Sequence, residues 1–425
     1  MLSIFCCQRF VDREAVVLVP LAEATADLCG GKAGGLGALI RAGLPVPDGV
    51  VVPRGAVADE LGRWLERMGD PLVAVRSSAA NEDTALTSAA GQHDSFLGVR
   101  GLAAVLDAVQ ACRESVWSPR AVAYRNGFEP PPMAVIVQLQ LDSDVSGVMF
   151  TADDAITIEA SWGLGPSVVE GRVTPDRYEV ADGTVTRTLA DKQTTLTLSG
   201  VHQVPVPRRR SATLSDATAR QLAHLGQQAA AALGAPQDLE WAIADGIPWL
   251  LQSRPITAKP RAIPATVAPA TRTVAPATRT SALGTSTGAP ATRTSALGTS
   301  TGAPGTLTGT PGSHGTASGP ARIVHGPADF PHVRPGDILI CPYTDPAWTP
   351  LLAIAAGVIT EQGGLLSHAA IIARERHIPA VLAVPDATTK LPNNTGITIN
   401  GTTGTISVTE GNEPGSYLAP DHSSD

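Results

Sequence analysis

Residues 363–375, in the C-terminal part of the chain, read Gly-Gly-Leu-Leu-Ser-His-Ala-Ala-Ile-Ile-Ala-Arg-Glu. An apolar run at residues 357–360 precedes it, and another at residues 378–384 follows it. This order predicts a strand, a glycine loop, a helix and a second strand. Ser367 is in the position of a helix N-cap, and His368 falls in the first turn of the predicted helix.

A histidine at the start of a helix has two interpretations. The free backbone N–H groups of a helix N-terminus attract an anion, and a neutral imidazole placed there can attack a phosphorus atom and carry the phosphoryl group. The two glycines let a phosphate approach the backbone closely. In the other interpretation His368 is only a capping or packing residue. The local pattern leaves both interpretations open.

The composition excludes several classes of protein. The chain has 425 residues and is 43% hydrophobic, which is enough for two or three domains with packed cores. Its net charge of −8 argues against a nucleic-acid partner bound through a broad basic face. Five scattered cysteines indicate reduced thiols. No apolar run approaches membrane-spanning length, and residues 1–10 are too short for a signal peptide, so we expect a cytoplasmic protein with no membrane partner.

Near the N-terminus, residues 30–32 read Gly-Gly-Lys, and apolar residues recur after them at helical spacing. Lys32 is therefore predicted at or just before a helix N-terminus, where contact with a phosphate is physically reasonable. The motif is not a P-loop, because Ala33 stands where that motif has Ser or Thr. A mobile surface lysine is the alternative.

Arg76 directly follows the apolar run Val-Ala-Val at residues 73–75, which predicts a buried strand. In α/β folds, ligand-binding groups often lie at the end of such a strand. The alternative is a salt bridge that stabilises the strand end.

Residues 238–243 and 248–255 predict a β-hairpin with Asp-Gly at its turn. Glu240 and Gln252 then lie opposite each other, and Arg254 projects on the same face as Gln252. Two oxygen ligands beside a cation suit a magnesium-bound polyphosphate. A cross-strand polar pair on a solvated face would leave the same pattern, so this alternative stays open.

Between residues 259 and 315 the sequence becomes repetitive and rich in Ala, Pro, Thr and Gly. With almost no large apolar residues this segment cannot bury a core, and we predict a disordered linker. A flexible chain of ~55 residues has an end-to-end distance on the order of 40 Å. The linker then serves either as an arm for a moving C-terminal domain or as a passive tether.

Two sets of motifs resemble a known family, that of pyruvate phosphate dikinase, phosphoenolpyruvate synthase and rifampicin phosphotransferase. Residues 363–375 resemble the phosphohistidine signature of its swivelling domain. Six blocks, in the family's order, resemble its N-terminal ATP-grasp domain: residues 30–33, 75–79, 91–92, 146–151, 238–241 and 252–255.

The resemblance implies a multidomain protein of mixed α/β and α+β class. We expect an ATP-grasp nucleotide-binding domain at residues 1–258, the disordered linker at 259–315, a small β/β/α phosphohistidine swivelling domain at 316–410 and a flexible tail at 411–425. The phosphoenolpyruvate or pyruvate barrel of full dikinases is not expected in this chain.

The resemblance also implies a role for each candidate residue, with ATP and Mg²⁺ as cofactors. These roles are ATP phosphate binding by Lys32 and Arg76, a place beside the nucleotide base for Gln138, magnesium binding by Glu240 and Gln252, charge stabilisation by Arg254, and phosphoryl transfer through His368.

The resulting functional prediction is an ATP-dependent phosphotransferase. It moves a phosphoryl group from Mg·ATP to His368 and on to a small-molecule acceptor, with release of AMP. The acceptor would be held by a partner chain or by a small surface on these domains. One alternative is a non-catalytic or regulatory remnant that binds ATP, which the replacement of a usual Glu by Pro166 favours. The other alternative is phosphoryl activation of a metabolite for condensation or elimination by a neighbouring enzyme.

Overall fold

The computed structural model describes residues 17–53, 58–79, 94–118, 121–122, 129, 132–151, 155–256 and 306–408. The larger part of the predicted linker, residues 259–305, lies outside these described ranges. The predicted tail at residues 411–425 and the Gly-Gln block at residues 91–92 lie outside them as well.

The first sheet is formed by N-terminal strands and has helices on both faces. Its elements are β1 (Val19–Pro20), α1 (Ala26–Arg41), β2 (Gly49–Val52), α2 (Ala58–Arg67), β3 (Val73–Ala79), β4 (Ser95–Val99), α3 (Leu102–Glu114) and β5 (Met133–Leu139). The strand order is β1-β2-β5-β3-β4, with antiparallel neighbours. Val50 and Val52 pack with α2 and α3, whereas Val51 packs with α1. This alternation is the two-residue period expected of a strand buried on both faces.

The second sheet follows in sequence. Its elements are β6 (Val145–Thr151), β7 (Ile156–Trp162), α4 (Pro166–Val169), β8 (Asp176–Ala181), β9 (Thr184–Thr188), β10 (Thr194–Thr197), β11 (Gly200–Gln203), α5 (Val206–Arg209), α6 (Asp216–Leu233), β12 (Gln237–Ala244) and β13 (Ile247–Pro255). Six strands pair in the order β13-β12-β6-β7-β8-β9, and β10 and β11 form a separate pair. Capping residues define both ends of α6. The Ser215 side chain accepts a hydrogen bond from the Thr218 N–H at the start of the helix, and Gly234 adopts the left-handed conformation at its end.

The third sheet contains the glycine loop and helix of residues 363–375. Its elements are β14 (Leu307–Thr308), β15 (Thr310–Ser313), β16 (Thr316–Ile323), β17 (Ile338–Cys341), α7 (Thr349–Leu352), β18 (Gly357–Thr360), α8 (His368–Glu375), β19 (Ala380–Leu382), α9 (Ala387–Lys390), β20 (Gly396–Asn400) and β21 (Thr405–Val408). The strand order is β14-β21-β20-β16-β17-β18-β19-β15, with β16 to β19 parallel. The predicted order of strand, glycine loop, helix and strand is confirmed as β18, loop, α8 and β19. None of the helices in the described ranges has the length and apolar character needed to cross a bilayer.

The structure corrects the predicted end of the linker at residue 315. Residues 307–313 form β14 and β15, which pair with β21 and β19 at the two edges of the third sheet. These short strands consist mainly of Thr, Gly, Pro and Ser, so they lack the apolar alternation by which a strand is recognised in a sequence. Their backbone hydrogen bonds to the sheet edges hold them in place.

Candidate functional site

The site begins with the hairpin of β12 and β13. Asp245 and Gly246 form its turn, with φ of 51° and 74°, as a two-residue hairpin turn of the primed type requires. The register pairs Glu240 with Gln252, which confirms the geometry predicted from the sequence. A bulge follows Glu240 and shifts the register by one residue. It lies next to the Glu240–Gln252 pair.

Two arginines converge on the carboxylate of Glu240. Arg254 Nη2 lies 3.5 Å from Glu240 Oε1, and Arg76 Nη1 lies 3.8 Å from Glu240 Oε2. With the Gln252 amide oriented so that its oxygen faces Arg254, that oxygen accepts a hydrogen bond of 2.6 Å from Arg254 Nε. Burial lowers the pKa of Arg76, and the charge of Glu240 partly restores it. Because two cations face one carboxylate, this cluster has an excess of positive charge and suits an anionic ligand.

Lys32 lies next to a kink in α1. Gly30 has φ of 82° and ψ of 167°, which interrupts the helix two residues before Lys32. The kink is held by Ser78, whose hydroxyl accepts from the Ala33 N–H at 3.1 Å and donates to the Cys29 carbonyl at 2.6 Å. Lys32 itself is only 6% exposed. The structure therefore contradicts the alternative of a mobile surface lysine.

The contacts of α1 bring its kink close to the arginine cluster. Ser78, which binds the kink, is two residues after Arg76 on β3. On the other side, Gly35 faces Ser253, which lies between Gln252 and Arg254, and an added Cβ at Gly35 would be 2.6 Å from the Ser253 hydroxyl. One region of the molecule, beside the arginine cluster, is therefore surrounded by three elements. They are the part of α1 after the kink, the end of β3 and the end of β13.

Gln138 lies on β5 and is buried. Its side-chain Nε2 donates a hydrogen bond of 2.9 Å to the carbonyl of Pro47, and in the sheet it is paired with Gly49 and Ala74. The side chain thus ties β5 to the segment before β2. The contact with a nucleotide base expected for Gln138 stays a prediction.

His368 is the first residue of α8 and is 4% exposed. Its Nδ1 lies 3.0 Å from the hydroxyl of Thr344, and its Nε2 lies 3.4 Å from the hydroxyl of Thr349. Burial, together with the charge of Arg254, lowers the pKa of His368 to about 4. The imidazole is therefore neutral near pH 7, which leaves one ring nitrogen with a free electron pair for nucleophilic attack.

Ser367 precedes α8 at the N-cap position, as the sequence predicts, with φ of −73° and ψ of 161°. Its side chain does not cap the helix, because the hydroxyl donates to the carbonyl of Gly364 at 2.8 Å. Ser367 is thus the N-cap residue by position, but its hydroxyl binds within the glycine loop and does not cap the helix N–H groups.

The glycine loop is bound by a residue that the sequence analysis missed. Glu159, on β7, is 2% exposed, and its Oε1 and Oε2 accept hydrogen bonds from the Leu365 N–H at 2.7 Å and the Leu366 N–H at 3.0 Å. Burial raises the pKa of this carboxyl, and the two amides partly offset the effect. In the sequence, Glu159 stands out only as a single charged residue within an apolar strand. Its hydrogen-bond partners lie more than two hundred residues further along the chain, so the sequence does not identify them.

Apolar contacts accompany this carboxylate. Leu365 and Leu366 are buried in one cluster with residues of the second sheet and of α4 and the segment after it, namely Val148, Phe150, Val168 and Val173. The guanidinium of Arg172 also lies 5.5 Å from the ring centre of Tyr343. The third sheet and its glycine loop are thereby docked on the second sheet.

Two family models match separate parts of this chain. Residues 54–273 match the family model described as "Pyruvate phosphate dikinase, AMP/ATP-binding domain", and residues 333–404 match "PEP-utilising enzyme, mobile domain". The fold is a mixed α/β multidomain architecture, and the first of these models describes a nucleotide-binding domain. Since the first model matches more than half of the chain, the chain belongs to the pyruvate phosphate dikinase family.

Three similar proteins illustrate the extent of the match. A probable phosphoenolpyruvate synthase of Methanothermobacter thermautotrophicus is 32% identical over 457 residues, which is 90% of this chain and 62% of the relative. The phosphoenolpyruvate synthase of Pyrococcus furiosus is 34% identical over 360 residues (79% and 40%). That of Escherichia coli is 31% identical over 359 residues (77% and 42%). The chain thus spans 40 to 62% of the lengths of these relatives.

Proposed function

We propose that this chain transfers a phosphoryl group from Mg·ATP to His368 and from there to a small-molecule acceptor, with release of AMP. One observation carries the proposal: a buried, neutral histidine lies close enough to Arg254 for the guanidinium charge to lower its pKa. Arg254 in turn belongs to the cationic cluster around Glu240. A nucleophile beside a site suited to a polyphosphate is the arrangement that phosphoryl transfer needs.

The proposed transfer forms a bond between His368 and the β-phosphorus of ATP. The contact between Nδ1 and Thr344 holds the ring, and the electron pair on Nε2 of His368 attacks the β-phosphorus of ATP. The bond between that phosphorus and the oxygen bridging to the α-phosphate breaks, and AMP leaves with this oxygen. Hydrolysis then releases the γ-phosphate, so that one phosphoryl group stays on His368. Arg76 and Arg254 would offset the negative charge that develops on the transferred group.

The protein oxygens near the arginines fit a magnesium ion. Mg²⁺ bound to a nucleotide usually takes one or two protein oxygens, while phosphates and water complete its coordination. Glu240 would supply a carboxylate and Gln252 an amide oxygen. The carboxylate of Glu240 is 3.5 and 3.8 Å from its two guanidinium partners, longer than the roughly 2.7–2.9 Å of a tight charged hydrogen bond, so its oxygens are not fully engaged. When bound, magnesium would neutralise part of the phosphate charge.

The acceptor is proposed from the names of the relatives. They are called phosphoenolpyruvate synthases, so pyruvate is the first acceptor to test with this chain. An acceptor held by a partner chain is the second possibility. The two are separated by incubating phosphorylated protein with pyruvate, first alone and then with cell extract.

The phosphohistidine is tested with ATP labelled at the β-phosphate. We expect acid-labile, base-stable label on the wild type and none on His368→Ala. His332→Ala, which changes an exposed histidine of the same sheet region, is the matched control and should label normally. Equal label on His368→Ala, or no label on the wild type in the presence of magnesium, would contradict the proposal.

A second variant tests the cationic cluster. Arg254→Lys keeps a positive charge but loses the two-sided contact with Glu240 and Gln252. We expect its labelling rate to fall by about two orders of magnitude, as when one group that stabilises transition-state charge is removed. An unchanged rate would exclude Arg254 from the transfer.

A further inference from the structure

We propose that Glu159 is a positioning residue: its carboxylate holds the glycine loop, residues 363–367, against the second sheet and so keeps His368 facing Arg254. This inference rests on the proposed function, because it explains how the nucleophile is presented to the nucleotide site. Glu159 does not itself touch the reacting atoms. Its two oxygens bind two successive amides of the loop, those of Leu365 and Leu366.

The geometry of this contact is specific. Each carboxylate oxygen accepts one backbone N–H, at 2.7 and 3.0 Å, from residues 206 and 207 positions away in the sequence. Hydrogen bonds to an ionised acceptor are roughly twice as strong as neutral ones. Because the loop leads directly into α8, fixing these two amides also fixes the start of the helix and with it His368.

The carboxylate of Glu159 also packs closely against the backbone of Gly364. A Cβ added at Gly364 would collide with both oxygens of Glu159. The backbone of Gly364 lies outside the left-handed region, so its conformation would admit alanine. The lack of a side chain at this position is therefore explained by the approach of Glu159, and alanine here should disturb the contact directly.

The loop is braced from its other side by its own sheet. Arg374 Nη1 donates hydrogen bonds of 2.9 Å to the carbonyls of Leu365 and Gly312, both in the C-terminal part of the chain. The charges of Arg177 and Arg374 also favour the ionised form of Glu159. If the third sheet moves away, the loop keeps Arg374 and loses Glu159. The contact with Glu159 is thus the part that forms and breaks with docking.

Hydrogen exchange measured on the full chain tests the contact without relying on activity. In Glu159→Ala we expect the amides of Leu365 and Leu366 to exchange at least tenfold faster than in the wild type. Glu179→Gln is the matched control, since Glu179 is an exposed glutamate on the neighbouring strand, and it should leave exchange unchanged. Glu159→Gln, which keeps the shape and one carbonyl acceptor, should fall between the two. Unchanged protection in Glu159→Ala would overturn the proposal.

Labelling kinetics and nucleotide binding then distinguish a positioning role of Glu159 from a general disturbance of the second sheet. For Glu159→Ala we expect label to reach His368 at least tenfold more slowly, while the Kd for Mg·ATP changes less than twofold and Glu159→Gln recovers part of the rate. A parallel loss of nucleotide binding would indicate damage to the second sheet and would contradict a positioning role. If the wild type takes up no label, the proposed function fails, but the exchange measurement still decides the role of Glu159.

A double variant supplies the sharpest test. Gly364→Ala should accelerate the same amides as Glu159→Ala, and Glu159→Ala/Gly364→Ala should be no worse than Glu159→Ala alone, because the colliding carboxylate is gone. Effects that multiply in the double variant would show that the two positions act independently, and the inference would be wrong.

Discussion

The Nδ1 atom of His368 lies 3.0 Å from the hydroxyl oxygen of Thr344, whereas its Nε2 atom lies 3.4 Å from the hydroxyl of Thr349. The shorter contact holds the ring from the Nδ1 side. When Nδ1 carries the hydrogen and donates it to Thr344, the free electron pair is on Nε2. Nothing in the sequence marks Thr344 as a partner of His368, because a threonine after a strand is common.

The first prediction concerns this contact. Thr344→Val keeps the shape of the side chain and removes the hydroxyl, so the ring loses its orientation. We expect the rate of His368 labelling from ATP to fall about tenfold, since about 1.4 kcal/mol corresponds to a factor of ten and a single hydrogen bond contributes about that much. Thr349→Val, which removes the longer contact, should lower the rate less. Equal effects of the two variants would show that the ring is not held from Nδ1.

The second prediction concerns pH. Burial, aided by Arg254, lowers the pKa of His368 from 6.5 to about 4, so between these values the docked form binds fewer protons than a solvated imidazole does. The contribution of His368 to docking is therefore fully present above pH 6.5 and is lost as the pH falls toward 4, whereas the raised pKa of Glu159 acts in the opposite direction. In an NMR titration of the docked protein, His368 should stay neutral down to about pH 5. A midpoint near 6.5 would show that the ring is solvated.

The sequence predicted the elements whose signals are local. The turn at Asp245 and Gly246, together with the two-residue period of its strands, was enough to predict the hairpin of β12 and β13. A two-residue turn without a bulge would pair Glu240 with Leu251, so the observed pairing with Gln252 depends on the bulge between Glu240 and Trp241. Helix α8 was also predicted from a local signal, because two glycines precede its apolar sequence. A resemblance to a family supplied the rest of the candidate site.

The missed features depend on contacts between distant parts of the chain. The partners of Glu159 lie on a different sheet, and a sequence pattern carries no information about which sheet edges meet. Serine is a common helix-capping residue, but the hydroxyl of Ser367 donates a hydrogen bond to the carbonyl of Gly364 in the preceding loop. The strands at residues 307–313 were missed because their sequences, Leu-Thr and Thr-Pro-Gly-Ser, lack the apolar alternation of a strand, although they pair with both edges of the third sheet.

The third prediction concerns the kink before Lys32. Gly30 and Gly43 both have positive φ, 82° and 76°, but an added Cβ meets the Ser78 carbonyl only at Gly30, and at Gly43 it meets nothing within 4 Å. Gly43→Ala should therefore cost about 1–2 kcal/mol, the strain of a left-handed residue. Gly30→Ala should cost more than about 3 kcal/mol and should also weaken Mg·ATP binding, because it displaces Lys32. Denaturant unfolding and equilibrium nucleotide binding measure the two effects, and similar losses at both positions would contradict the collision with Ser78.

The fourth prediction concerns a buried ion pair in the second sheet. Lys192 Nζ lies 2.5 Å from Asp176 Oδ1, and both side chains are fully buried. Asp176 also accepts hydrogen bonds from the Ala190 N–H at 2.8 Å and the Thr213 N–H at 2.9 Å, so the pair ties two loops to β8. Lys192→Met would leave a buried carboxylate without its cation, and we expect a loss of about 3–5 kcal/mol in the free energy of unfolding.

The exposed pair of Lys390 and Asp386, at 3.3 Å, provides the control for this prediction. Lys390→Met should change the free energy of unfolding by less than about 0.5 kcal/mol, because water solvates the remaining carboxylate. The double variant Lys192→Met/Asp176→Asn should recover part of the loss caused by Lys192→Met, since it removes the uncompensated charge. Denaturant unfolding followed by tryptophan fluorescence measures all three. If the double variant were less stable than Lys192→Met, the loss would come from the hydrogen bonds of Asp176 and not from its unpaired charge.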